Sequence, residues 1–256
     1  MQKRIWLIAL VAAALLSAPA AQAEDGFYVI AGGGGGVGTK ITSLPYTIIT
    51  PGYYYFGGNL STSGTGNAIT VSVDNVTLDL MGCSLTRTGT GGNPHGIYMS
   101  GRTNVEIRNG TITGFSAGIY EASSNGANHR LINIRADYNT ADDESIGISL
   151  SGKNHLVRGC TASNNGGCGI RVASGTITGC VVCDNGNNSI YGISLNGPGS
   201  LLDNIATNTS NAGTGFSIGA IGSTTKILVD GNSAGGNGTN YTASGPGTVW
   251  GVNAGR

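Results

Sequence analysis

Apolar and polar residues alternate along most of the chain in short runs. In GISLSG (147–152), Ile148 and Leu150 fall on one side and Ser149 on the other. In NVEIRNGTITGF (104–115), Val105, Ile107 and Ile112 are the inward positions. Period-two alternation broken by Gly, Asn and Ser predicts short strands rather than helices. Apart from an N-terminal apolar run, no segment carries a helical period of useful length.

The alternation is organised by a recurring phrase: GIYMSG (96–101), GIYEAS (118–123), GISLSG (147–152), GIRVAS (169–174), GISLNG (192–197) and GFSIGA (215–220). Its opening glycines, Gly96, Gly118, Gly147, Gly169, Gly192 and Gly215, are spaced by 22, 29, 22, 23 and 23 residues. A period near 22 with occasional insertions is the mark of a solenoid. Three short strands per period make one rung of a parallel β-helix. Such a rung buries its apolar side only by stacking on the next, about 4.8 Å away. About seven rungs are expected, with glycine at the bends because it accepts positive φ.

Aligning the phrases yields columns. The outward register reads Tyr98, Tyr120, Ser149, Arg171, Ser194, Ser217. The core register reads Met99, Glu121, Leu150, Val172, Leu195, Ile218, so a carboxylate stands where its neighbours are aliphatic. Either the strand ends early there, or the carboxylate lies near the core with a raised pKa. Asn75, Asn104, Asn128 and Asn154 form one asparagine column; Asn139, Asn165 and Asn185 form another, continuing toward Ser210 and Asn237. Stacked amides of this kind can bond from rung to rung. His129 and His155 share a column, and Ile134, Cys160, Cys180 and Ile205 are placed in another.

DNVTLDLMGCSLT (74–86), TNVEIRNGTITGF (103–115) and the G-I-x-x phrases resemble right-handed parallel β-helix repeats of the pectin lyase-like superfamily, over roughly residues 41 to 240. LPYTIITPGYYYFGGNL (44–60) is similar to the lead-in before the first rung of such proteins. The resemblance implies an all-β fold, a right-handed single-stranded parallel β-helix with an N-terminal cap. It implies no single activity, since the superfamily includes lyases, hydrolases, epimerases, tailspikes and adhesins.

Residues 1–23 read as a secretory signal peptide: a basic start, an apolar run from Ile5 to Leu16, and a small-residue cleavage site ending at Ala23. The expected organisation is a linker and cap over 24–66, the solenoid over 67–240 and a C-terminal cap or tail over 241–256. Export places the chain in the periplasm, at the cell surface or outside the cell, with no membrane span after cleavage. Only 10% of residues are charged and the formal net charge is zero. That balance gives no footprint for nucleic acid.

Most motif-like stretches fail on their context. The G-x-G-x-x-G at Gly33, Gly35 and Gly38 is followed by strand and turn residues, not by the helix a dinucleotide site needs. CVVC (180–183) lies on a strand, without the helix N-terminus that activates a redox thiol. Cys160 and Cys180 read as small buried core residues, with a bridge between them left open. No cofactor is expected, calcium being the one ion the acidic residues leave open.

The best site combines the outward column with two insertions, RTGTGGNPH (87–95) and YNTADDES (138–145), which emerge before Gly96 and Gly147. Insertions in a solenoid gather on one face, often the binding face. Together they bring Arg87, His95, Asp142, Asp143 and Glu144 toward Tyr98 and Tyr120. Tyr faces cover a pyranose and Arg pairs with a carboxylate, so Tyr98, Tyr120, Arg171, Glu121 and Arg87 are the expected contacts to a polysaccharide or cell-surface glycan. The superfamily's enzymes offer only partial matches. Asn93-Pro94-His95 resembles an Asp-Pro-His motif with its acid replaced by an amide, and Asp142-Asp143 lacks the companion motifs of polygalacturonases. A lyase, epimerase or hydrolase would draw on His95, Asp142, Asp143 and Arg171. A structural or adhesive solenoid is the third alternative.

Overall fold

The computed structural model describes residues 38–141, 145–186, 191–209, 213–219 and 226–255. All of them belong to one unit, Gly38–Arg256. The signal peptide, Gly33 and Gly35, Asp142, Asp143, Glu144 and Ser210 lie outside the described residues.

Every regular element among the described residues is a strand, and neighbouring strands pair in parallel one period apart. Nine strands stack into a first face, running from Tyr46–Ile48 through His95–Met99, Ala117–Glu121 and Ile146–Leu150 to Thr239–Ser244. The remaining sixteen form one sheet that bends into a second and a third face. Val105–Thr113 and Arg130–Ala136 run unbroken through the bend and join the two faces. No helix among the described residues is long and apolar enough to cross a membrane.

Inward residues of the three faces meet in one core that includes Leu78, Ile107, Phe115, Ile119, Ile134, Val157, Ile177 and Phe216. Each full burial of such a side chain is worth about 1.5–3 kcal/mol. The first-face registers are as aligned: Tyr98 pairs with Tyr120, Tyr120 with Ser149, Ser149 with Arg171, and Arg171 with Ser194.

Left-handed residues mark the three corners, and in several rungs the side chain of the next residue bonds along the stack. Entering the second face, Asn75, Asn104, Asn128 and Asn154 have φ of 59°, 57°, 60° and 60°. Between the second and third faces the same conformation falls on Asn109, Asn133, Gly159, Gly179, Asp203 and Gly231. Leaving the third face it falls on Gly114, Tyr138, Asn164, Asp184, Asn208 and Gly236. Asn and Asp accept this region because a short polar side chain can bond locally. The first asparagine column is therefore chiefly conformational; the expected amide stacking is seen from Asn104 Nδ2 to Asn75 Oδ1, at 3.0 Å.

The opening glycines serve a different purpose from the one expected. Gly118, Gly147, Gly169 and Gly192 do not have positive φ. A Cβ on any of them would come within 2.7–2.8 Å of the carbonyl oxygen of the next glycine in the column. The phrase begins with glycine because successive backbones approach too closely for a side chain.

Candidate functional site

His95, Tyr98 and Tyr120 come together on the first face. The His95 ring stacks on Tyr120 with centroids 4.5 Å apart and on Tyr98 at 5.7 Å. Tyr98 and Tyr120 lie 6.2 Å apart, and all three ring planes agree within 30°. Parallel registry supplies two of the rings, since Tyr98 and Tyr120 are directly paired. His95 joins them because its own strand, His95–Met99, begins at that residue and its amide donates to Asn67 Oδ1 at 3.0 Å. The result is one continuous aromatic surface across two rungs.

Arg171 lies two rungs beyond Tyr120 in the same column, with Ser149 between them. One of its guanidinium nitrogens reaches Ser149 Oγ at 3.5 Å. The platform and a half-exposed guanidinium thus share one outward stripe, roughly 10 Å apart at two strand spacings.

Two expected contacts do not reach this surface. Arg87 is buried, and its Nε donates to the Gly64 carbonyl at 3.0 Å while an Nη donates to the Gly91 carbonyl. It ties the segment 88–94 to the preceding rung. Glu121 has no exposed surface. Its carboxylate accepts the amides of Gly101 at 2.8 Å, Arg102 at 3.3 Å and Ser123 at 2.7 Å, and lies 3.1 Å from His129 Nε2. Burial alone opposes ionisation, but the bond from His129 and the three amides outweigh it and hold the carboxyl below the usual range. The raised pKa expected from the core position is thus reversed by donors from two turns.

Behind Glu121 sit His129 and His155, both buried, their rings stacked at 5.0 Å. The Val105 amide donates to His129 Nδ1 at 3.4 Å, and the His129 amide donates to His155 Nδ1 at 3.3 Å. His155 Nε2 donates to the Ser151 carbonyl at 2.9 Å. Burial, then the neighbouring His129, lower the His155 pKa to about 4.

The cysteines are free thiols. Cys160 and Cys180 are neighbours in the column after the second corner, and the next members are Asn204, Asn232 and Asn253. Ile205, assigned to that column from the sequence, lies one position later and pairs with the outward, partly exposed Val181. A bond shared with Cys180, and then burial, push the Cys160 thiol up, so it stays protonated and unreactive.

A second polar cluster, on the second face, was not singled out in the sequence. Arg108 bridges Asp79 at 2.7 Å and Glu106 at 2.9 Å, and Arg130 approaches Glu106 at 3.3 Å. Its charges answer one another. Tyr98-type column reading could have found it, since these residues are also outward neighbours in successive rungs. Among the described residues, no three His, Cys, Asp or Glu side chains gather as a metal site.

The sequence model of the right-handed β-helix region matches residues 59–240, most of the chain. The chain belongs to the right-handed β-helix family. That assignment fixes the hand of the coil and agrees with the likeness to pectin lyase-like repeats. No curated protein matches the sequence. What distinguishes this β-helix must therefore be read from where its rungs differ: the aromatic surface, the buried Glu121 and the histidine pair.

Proposed function

We propose that this β-helix binds polysaccharide along the outward stripe of its first face, with His95, Tyr98 and Tyr120 as the aromatic platform and Arg171 as a polar contact farther along. The observation that carries the reading is the three-ring surface at 4.5–6.2 Å spacing on a repetitive solenoid wall. Aromatic side chains with polar tips suit sugars, which present both C–H faces and hydroxyls. A wall of stacked strands suits an extended chain, because equivalent positions recur about every 4.8 Å along it. Export through the N-terminal signal is part of this reading.

The test is a panel of neutral and acidic glycans scored for both retention and turnover. Tyr98→Ala and Tyr120→Ala each reduce retention by about tenfold, the equivalent of one ring contact. Unchanged retention in both variants removes the platform from the reading. New reducing ends or unsaturated uronate absorbance would instead favour an enzyme using His95, Arg171 and the 142–143 aspartates. A blank panel in both readouts would leave a structural or adhesive solenoid.

A further inference from the structure

Two corners carry amide ladders, with Asn139, Asn165 and Asn185 at one and Asn204 and Asn232 at the other each immediately following a left-handed residue. Leaving the third face, Asn139 Oδ1 accepts the Phe115 amide, Asn165 Oδ1 the Asn139 amide and Asn185 Oδ1 the Asn165 amide, at 3.0–3.1 Å. Between the second and third faces, Asn204 Oδ1 accepts the Cys180 amide, Asn232 Oδ1 the Asn204 amide and Asn253 Oδ1 the Asn232 amide, each at 3.0 Å. Each oxygen binds the backbone N–H of the equivalent residue one rung earlier. An amide oxygen cannot lose that ability at any ordinary pH.

At two successive rungs, the corner entering the second face follows the same rule with different chemistry. His129 and His155 follow Asn128 and Asn154, both at φ of 60°. Their Nδ1 atoms accept the amides of Val105 and His129, which are the equivalent residues one rung earlier. Imidazole Nδ1 has replaced amide Oδ1. Each Nε2 is committed as a donor, His129 to Glu121 and His155 to the Ser151 carbonyl. In this arrangement each Nδ1 serves as a bare acceptor. Protonating Nδ1 converts the acceptor into a donor aimed at another donor.

We propose that His129 and His155 form an acid-sensitive joint between three successive rungs, which opens while the amide ladders at the other corners hold. The ionisable group facing the pair is Glu121, at the end of Ala117–Glu121. The turn at 100–103 directs the Arg102 guanidinium away, to the carbonyls of Ser100 and Ser72. Lys153, on the turn before His155, is exposed. Opening the joint frees the amides of Val105 and His129 and disturbs the His129 contact to Glu121, the last residue of the strand that carries Tyr120. The joint does not depend on what that strand binds.

The direction in pH follows from His155. Its folded pKa, about 4, lies below the 6.5 of a free histidine. Between those values the unfolded chain binds more protons than the folded one. The contribution is complete above 6.5 and is lost as pH falls toward 4.

Site-resolved hydrogen exchange, corrected for the intrinsic pH dependence of exchange, tests the proposal. Between pH 7 and 4, protection of the Val105 and His129 amides falls at least tenfold relative to the Asn139 and Asn204 amides. In His129→Asn and His155→Asn, the amide oxygen restores a pH-independent acceptor and the selective loss disappears. Uniform behaviour of all four amides in the unsubstituted protein overturns the proposal. So does a selective loss that survives in the double His→Asn variant.

Discussion

Glu121 occupies the register in which neighbouring rungs carry Met99, Leu150 and Val172. From the pattern alone, leucine at this position looks like a repair. The structure argues the opposite, because three backbone amides and the His129 ring are directed at the carboxylate in a buried site. Glu121→Leu strands all four donors. We expect it to destabilise the fold by about 3–5 kcal/mol in urea unfolding, the usual cost of deleting one partner of a buried charged cluster. Equal or greater stability in that variant would mean the carboxylate is not the organising group. The sequence marked Glu121 as anomalous but misjudged its ionisation, since Gly101 and Arg102 come from the previous rung's turn. Arg87 was misjudged for a similar reason. Its position beside an insertion suggested a ligand contact, whereas the carbonyls it binds, those of Gly64 and Gly91, become neighbours only once the rungs stack. Tyr98 and Tyr120 were legible because direct parallel pairing preserves column membership.

Strands and corners obey different rules, and this decides which columns can be aligned by eye. Along a strand the period is two and the alternation is self-correcting. At a corner a left-handed residue resets the count. Asp203, with φ of 55°, is such a reset, and overlooking it shifts the cysteine column by one residue, from Asn204 to Ile205. The corrected column explains the two buried cysteines. Cys160 Sγ donates toward the carbonyls of Leu131 and Arg158, and Cys180 Sγ toward those of Val157 and Thr178. Asn232 Nδ2 donates to the same pair of positions in its own rung and the one before, Asp230 and Leu201. The thiols are weak versions of the ladder amide. Cys180→Asn is therefore expected to leave the melting temperature unchanged or higher, and a fall equivalent to more than about 2 kcal/mol would contradict the equivalence. In the other ladder, Asn165→Ala removes the acceptor for both the Asn139 amide and its Nδ2, bonds of 3.0 and 3.1 Å. Asn139 Nδ2 keeps the Ile112 carbonyl at 3.3 Å, so the buried Asn139 amide is the donor left unmet, at a cost of about 1–3 kcal/mol, measurable as a lower urea midpoint at unchanged slope.

A solenoid distributes stability as a chain of nearest-neighbour interfaces, so its ends need seals and damage at one end stays local. The C-terminal seal is aromatic. Tyr241 stacks on the buried Phe216 with centroids 5.0 Å apart, and Trp250 meets it edge-on at 5.8 Å. The Tyr241 hydroxyl donates to the carbonyls of Asn232 and Ala254 at 3.1 and 3.0 Å, pinning the last coil to the one before. Tyr241→Ala uncovers the core end and removes both bonds. The expected outcome is hydrogen exchange that rises across 227–254 while 96–172 keeps its protection. Phe115→Ala, in the middle of the stack, should instead lower global stability by about 3–5 kcal/mol, because a cavity there weakens interfaces on both sides. The aromatic platform lies in rungs well before the seal. Glycan retention should therefore survive Tyr241→Ala at near-normal strength while the last coils fray. Retention lost together with the C-terminal coils would move the binding surface away from His95, Tyr98 and Tyr120 to the far end of the first face.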